Sequence, residues 1–426
     1  MTEPSGINTV TGEITPTEIG KARGQYSRKL VILFGVAAIG LYTGSNGAAF
    51  LLALQLQGID PAQKVANLSV IAAAGALASM VSGPLWGALS DRIRSRWGRR
   101  NLLALLGAVF LAVSLIFMAL STTAFELGVA LVVAQIAIAS IIAPLGAIIP
   151  DRVPVKARGF ASSVLGFGVL AGIVLGQSIG SALSSVNLLA AYGGLAVIIL
   201  VCLLVFILLN PDASSANAPK LGFSFTAFLR SFWVNPVKYP DFAWVFWGRG
   251  LIFLGYFAVS TYTLYILQDY IGLSKAKAVS EVPILAVFTF IGFLIAVFVA
   301  GWWSDKIGRR KPFVIASSLI CAVGVLIPFA VPTIGGMLVY AFVTGAGYAV
   351  FLSIDNALIS QVLPPTGDTA KDLSVAGLGG AAASVIAPVV AGLIVGSAGL
   401  YQPLFLIAGA VSIAGAVCIL FVRQVR

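Results

Sequence analysis

Gly87-Ala88-Leu89-Ser90-Asp91-Arg92-Ile93-Arg94-Ser95-Arg96-Trp97-Gly98-Arg99-Arg100 is a charged interruption between two long apolar stretches. Much of it returns as Gly301-Trp302-Trp303-Ser304-Asp305-Lys306-Ile307-Gly308-Arg309-Arg310. In each copy a Gly precedes an Asp by four positions, a basic residue follows the Asp, and Gly-Arg-Arg closes the segment. The first copy is four residues longer, the extra residues falling between the Asp and the closing Gly. A segment that recurs in this way points to a chain built from two related halves.

The surroundings of the two copies set the solvent. Of the 426 residues, 59% are hydrophobic and 10% charged, which leaves too little polar surface to cover a water-soluble protein of this size. Apolar stretches of about 20 residues are long enough to cross a hydrocarbon layer of roughly 30 Å as helices. Twelve such stretches centre near Ile39, Gly75, Leu111, Ile138, Leu170, Ile198, Gly255, Ile291, Leu319, Tyr348, Val385 and Ala410. The expected fold class is an all-α membrane protein.

The net charge of +11 could suggest a nucleic-acid partner, but its distribution excludes that reading. With the amino terminus inside, every Lys and Arg falls in a cytoplasmic segment except Lys64, Lys275 and Lys277, which fall outside, and Arg249, which lies within a span. This bias places both termini in the cytoplasm of a multi-pass cell-membrane protein. The polar start, 1–28, has no short apolar core followed by a small-residue cleavage site and reads as a cytoplasmic tail. Cys202, Cys321 and Cys418 sit in apolar stretches without metal-ligand spacing, so packing is the expected role, with no metal and no cofactor.

The first six spans occupy 29–210. Pro211-Asp212-Ala213-Ser214-Ser215-Ala216-Asn217-Ala218-Pro219 has linker composition, and Leu221 to Asp241 interleaves aromatics with Lys220, Arg230 and Lys238, as a segment lying at the membrane surface would. Together these form a central loop, 211–241. The last six spans and a short cytoplasmic tail fill 242–426. Asp151-Arg152-Val153-Pro154, after the fourth span, aligns with Gln361-Val362-Leu363-Pro364, after the tenth, which supports the duplication.

The repeated loop, in both halves between the second and third span, resembles the loop signature of the major facilitator superfamily. The resemblance extends over the whole chain, twelve spans and a central loop included. It implies two pseudo-symmetric six-helix bundles that rock about a central cavity. It also implies a cytoplasmic gate formed by Gly87, Asp91, Arg92, Gly98, Arg99 and Arg100 with Gly301, Asp305, Lys306, Gly308, Arg309 and Arg310. Physically, the Gly permits close packing, the Asp suits the positive end of a helix, and the basic residues face cytoplasm and anionic lipid.

The longer first copy is similar to that of the glycoside-pentoside-hexuronide cation symporters and their sucrose-transporter relatives. Pro150 to Pro154, Tyr262-Thr263-Leu264-Tyr265 with Gln268-Asp269-Tyr270, and Asp355 agree with that branch. The amino-terminal spans depart from it, since they hold no embedded Asp or Glu, where the branch places its coupling carboxylates. Gly168, Gly172, Gly176 and Gly180 resemble the glycine-rich fifth span of drug-proton antiporters, but Gln177 stands where that motif has Pro. Four-residue spacing of small residues is also the ordinary signature of close helix packing.

Among the acidic residues Asp355 alone lies well inside an apolar stretch, and among the basic residues Arg249 alone does so. Each is eight positions from the cytoplasmic end of its span, roughly 12 Å deep at 1.5 Å per residue. Embedded charges are costly and commonly functional, so this pair is a candidate coupling or gating switch, the alternative being a permanent structural ion pair. Tyr42 and Asn46, Gln135, Gln177, Tyr262 and Tyr265, and Tyr348 with Asn356 supply aromatic faces and hydrogen bonds suited to a hydroxyl-rich substrate. With no His in the chain, a His proton relay is excluded.

The expected function is secondary active transport of a sugar or glycoside by alternating access, coupled to protons through Asp355. The rivals are a proton-coupled exporter of drugs or metabolites and a membrane ligand sensor that moves nothing. Enzymatic chemistry has no support, since His, Cys pairs and clustered carboxylates are absent, and without a P-loop neither has ATP coupling.

Overall fold

The computed structural model describes residues 27–90, 92–95, 98–212, 238–307, 311–362 and 369–422. Twelve described helices are long and apolar enough to cross a membrane. We number them α1 (Arg28–Ile59), α2 (Lys64–Ser90), α3 (Arg99–Leu120), α4 (Ala124–Gly146), α5 (Val155–Ser184), α6 (Leu188–Leu209), α7 (Pro240–Ser260), α8 (Lys275–Ile307), α9 (Lys311–Ala330), α10 (Ile334–Val362), α11 (Thr369–Ala398) and α12 (Gln402–Leu420). The expected all-α fold with twelve spans is what the structure has. Residues 1–26 of the expected tail and 213–237 of the expected central loop lie outside the described residues.

The helix starts follow local chemistry. The Ser27 hydroxyl accepts the Leu30 N–H at 3.1 Å ahead of α1, and the Asn187 side chain accepts the Ala190 N–H at 2.7 Å ahead of α6. Thr123 and Glu126 form a reciprocal capping box at α4. Helix α7 loosens at its end, through a turn at Thr261 and Tyr262 and a wider π turn over Ile266–Tyr270. Large apolar side chains such as Phe117, Phe125, Leu208 and Phe298 are exposed on the outside, as the side facing lipid requires.

Successive helices run antiparallel, so one end of the molecule carries the starts of the odd-numbered helices and the other carries their ends. We call these the basic end, which holds Arg92, Arg94, Arg100, Arg152 and Lys311, and the far end. Helices α1–α6 form one bundle and α7–α12 the other, and α2 against α11 and α5 against α8 make the seam between them.

Within the first bundle, α5 lies directly on α1. A methyl group added at Gly168 would stand 2.7 Å from the Gly35 carbonyl oxygen, and one at Gly172 would stand 2.8 Å from that of Ile39. At Gly176 it would strike the Thr43 carbonyl, and at Gly180 the Phe50 ring at 3.3 Å. The glycine row is therefore spent on helix contact, where small residues let backbones meet. Cys202 packs against Gly40, and Cys321 against Gly347.

Candidate functional site

The two embedded charges meet. Arg249 on α7 donates from Nη1 to Asp355 Oδ2 on α10 at 2.8 Å. The Asp355 side chain is 1% exposed and that of Arg249 13%, so both charges are held inside the protein. Among the described residues no donor reaches the buried Asp355 Oδ1. A carboxylate satisfied on one side only is costly to bury in its charged form.

Helix α11 makes room for this arrangement. A methyl group at Gly380 would come within 2.7 Å of the Phe253 ring and 3.7 Å of Arg249 Nε. One at Gly379 would lie 2.9 Å from the Phe246 carbonyl oxygen. Two adjacent glycines thus allow α7 to lay its Arg249–Phe253 face against α11.

An aromatic group extends the pair toward the far end. The Arg249 guanidinium sits over the Phe253 ring at 5.4 Å, a favourable placement for a cation. Phe253 meets Tyr348 edge-on at 5.5 Å, and Tyr348 stacks on Tyr256 at 4.5 Å with rings 11° apart. Tyr256 and Tyr348 are half-buried, and Tyr42 of the first bundle lies within electrostatic reach of Tyr348. Sequence reading passed over Tyr256 and Phe253. The signal was present, because Arg249, Phe253 and Tyr256 fall at i, i+4 and i+7, one face of a helix.

The other candidates are placed as follows. The Asn46 Nδ2 donates to the Tyr42 carbonyl at 3.0 Å within α1. Gln135 borders the contact of α4 with α2, beside Gly75, and Gln177 is half-buried on α5. Tyr262 and Tyr265 are fully buried near the far end. Their hydroxyls donate to the Pro388 carbonyl at 2.9 Å and, across the seam, to the Ala53 carbonyl at 2.8 Å. In this state neither hydroxyl is available to a ligand. The Asn356 side chain lies outside the described residues.

At the far end the bundles are tied together. Lys64 Nζ pairs with Asp269 Oδ1 at 2.7 Å and lies 4.9 Å from the centre of the Tyr265 ring, while the Tyr401 hydroxyl donates to Asp269 Oδ2 at 2.9 Å. Gln57 donates to Gln268 at 2.5 Å, and the Ser181 hydroxyl donates to the Val279 carbonyl at 2.8 Å. Side chains of Ser69 and Tyr262 fill the space beside Gly392. The same helices face open space nearer the basic end, where a methyl group added at Gly83, Gly87, Gly159, Gly166 or Gly377 meets nothing.

The first copy of the repeated loop is part of a charged network at the basic end. Gly98 has φ +84°, the left-handed region that favours glycine, and a side chain there would strike Asp212. The Asp212 carboxylate accepts the Arg100 N–H at 3.1 Å and pairs with the Arg152 guanidinium. Arg100 itself is buried and pairs with Asp151. The Arg92 guanidinium donates to the Ala88 carbonyl. Asp212 had read as linker; its role depends on contacts far along the chain, which composition does not encode. Gly301 is part of the α8 backbone, and Asp91, the side chains of Arg99, Asp305 and Lys306, and all of Gly308, Arg309 and Arg310 lie outside the described residues.

A search of curated protein sequences returns no match. Solved structures of similar shape include an alanine variant of the nucleoside transporter NupG, with 15% identity, 92% of this chain and 99% of that one covered, and TM-score 0.72. Another is a POT family transporter in complex with 5-aminolevulinic acid, with 16% identity, coverage of 94% and 98%, and TM-score 0.73. A third is a bacterial homologue of the human lysosomal transporter Spinster, inward-facing and unoccupied, with 15% identity, coverage of 93% and 95%, and TM-score 0.64. These likenesses establish the fold. The sequence profile described as Major Facilitator Superfamily matches residues 32–291 and 278–426, and the chain, a membrane transporter and not an enzyme, belongs to that superfamily.

Proposed function

We propose that the protein is a proton-coupled symporter of a small polar substrate, a sugar or glycoside in the broadest sense, working by alternating access in the cell membrane. The observation that carries this reading is the Arg249–Asp355 pair, at 2.8 Å and opening onto half-buried Tyr256 and Tyr348. A permanent strut would be expected to satisfy both carboxylate oxygens, whereas Asp355 Oδ1 has no donor among the described residues. Protonating Asp355 neutralises it and breaks the ion pair.

The positive-inside bias puts the basic end and both termini in the cytoplasm. On that orientation the seam is tied shut on the outside and the described state is inward-facing. The boundaries at 29–210 and 242–426 then delimit the two rocking bundles. The glycine row of α5, which was the case for an exporter, is occupied by packing on α1, so import is favoured.

The neighbours in shape include a nucleoside transporter and a transporter holding 5-aminolevulinic acid, so the fold leaves the choice of substrate to the site. A panel of sugars and glycosides supplied to proteoliposomes under an inward proton gradient tests the proposal. Accumulation that collapses when the gradient is removed is the expected result. Proton-driven efflux of hydrophobic cations, with no sugar accumulated, would replace symport by export.

A further inference from the structure

The tyrosine hydroxyls fall into two sets. Toward the far end Tyr192 bonds to Gln55 Oε1 at 3.0 Å, Tyr270 to the Pro328 carbonyl at 3.1 Å, and Tyr262, Tyr265 and Tyr401 to the groups already named. Tyr42 on α1, Tyr256 on α7 and Tyr348 on α10 lie 14, 16 and 14 positions from the basic ends of their helices, roughly 21–24 Å in at 1.5 Å per residue. Among the described residues the hydroxyls of these three have no hydrogen-bond partner, and none of the three oxygens is sealed inside the protein. Tyr340, buried on α10 within electrostatic reach of Tyr256, makes no bond either.

We infer that the hydroxyls of Tyr256 and Tyr348, with that of Tyr42 from the opposite bundle, form the specificity-determining subsite for a non-aromatic polyol, held by its hydroxyls and not stacked between rings. The inference rests on the reading of the chain as a transporter of a sugar or glycoside, and it names the groups that recognise that substrate.

The first argument is the cost of the hydroxyls. A polar group held without a partner in an apolar layer costs free energy. A phenylalanine fills the same kind of ring position without that cost, as Phe253, Phe257 and Phe351 do in the same cluster. Tyrosine at 256 and 348 therefore adds nothing to the packing that phenylalanine lacks. What it adds is an oxygen free to bond a ligand.

The second argument is the arrangement of the rings. Tyr256 and Tyr348 stack on each other at 4.5 Å, and a third ring between them would need roughly twice that separation. Their remaining sides meet Phe257 at 5.6 Å and Phe253 at 5.5 Å, at steep angles, and those two phenylalanines stack at 5.8 Å. The ring faces are thus turned on one another, and the hydroxyls are what the cluster offers. A phenolic hydroxyl both donates and accepts, as does every hydroxyl of a polyol, whereas a flat aromatic ligand depends on ring faces for its hold.

The third argument is placement. Tyr42 belongs to the first bundle, Tyr256 and Tyr348 to the second, and Tyr42 lies within electrostatic reach of Tyr348. A ligand with hydroxyls on two of its sides joins the bundles, which closing over a bound substrate requires. Tyr262 and Tyr265, whose hydroxyls hold backbone carbonyls, contribute nothing to this grip in the described state.

The test uses the full-length protein in detergent for binding and in proteoliposomes for uptake. Galactose, xylose and myo-inositol are compared with the flat ligands adenine, uracil and benzamide, and the tightest polyol is then compared with its single-deoxy analogues. At least one polyol should bind more tightly than every flat ligand, and loss of one of its hydroxyls should weaken it about threefold to tenfold. Tyr256→Phe and Tyr348→Phe should each weaken the intact polyol by a similar factor, and each should bind one deoxy analogue as well as the parent does, because variant and analogue lack the two halves of one bond. Tyr42→Phe should behave likewise toward a different hydroxyl.

Melting temperatures of the three variants should match the parent's, since the rings stay and no bond within the protein is lost. Tyr262→Phe, which loses its bond to the Pro388 carbonyl, should melt lower and should show no coupling to any deoxy analogue. A panel in which no polyol binds, or in which a flat ligand binds most tightly, overturns the inference. So do phenylalanine variants that discriminate every deoxy analogue as the parent does. Coupling at these tyrosines without proton-driven accumulation keeps the subsite and removes symport. Proton-driven accumulation of a polyol without that coupling does the reverse.

Discussion

The two bundles share a fold and divide the physics between them. In the first, α1 and α5 meet backbone to backbone along a glycine row, and the described interior holds no ionised side chain at the depth of Arg249. In the second, α7, α10 and α11 surround an embedded ion pair and a chain of stacked rings. Close packing makes a rigid body, whereas a buried pair with an unsatisfied oxygen makes a site whose charge state matters. Duplication supplied two frames, and one of them carries the ionisable chemistry.

The largest effects should come from breaking the charged side of this contrast. Asp355→Leu leaves Arg249 buried without its carboxylate, and the expected loss is about 3–5 kcal/mol. Thermal unfolding in detergent reads it, and Arg249→Leu/Asp355→Leu should recover most of it. If the double variant is as unstable as the single, packing and not charge explains the loss.

The packed side should break next. Gly176→Leu drives a side chain into the Thr43 carbonyl, and overpacking of this kind costs about 1–3 kcal/mol. Gly166→Ala, on the same helix but facing open space, should stay within about 0.5 kcal/mol of the parent. Equal melting temperatures for the two variants would mean that the glycine row does not hold α5 on α1.

Gly98→Ala sharpens the picture at the basic end, where it adds both an unfavourable φ and a collision with Asp212. A cost of about 1–3 kcal/mol is expected. Faster proteolysis near residue 98 than in the parent would report it, and unchanged cleavage would count against the network. The smallest effect should be at the tie across the far end. Lys64→Ala removes a partly exposed bridge to Asp269, and such pairs contribute about 0–1 kcal/mol. Spin-label distances across the far ends of α2 and α11 should broaden toward an opened population, and a distribution identical to the parent's would show that the bridge does not bias the state.

How much of this was legible in the sequence follows from range. The spans were readable because lipid demands long unbroken apolar runs, and the repeat marked the two halves. Arg249 and Asp355 were readable because an embedded charge is rare enough to stand out in a composition otherwise apolar. Tyr256 was readable in principle from its spacing with Arg249 and was hidden by the abundance of aromatics, 10% of the chain. Asp212 and the bond from Tyr265 to Ala53 were not readable, because each joins segments that pattern along the chain treats as unrelated.

The central claim is that the proton drives transport by way of Asp355. Uptake by proteoliposomes of a probe the parent carries, followed from pH 5.5 to 8 for the parent and for Asp355→Asn, tests it most directly. The account predicts that the parent accumulates the probe in proportion to the inward proton gradient, while Asp355→Asn equilibrates it without accumulation at every pH. A variant that accumulates the probe as well as the parent, with the same pH profile, would contradict it.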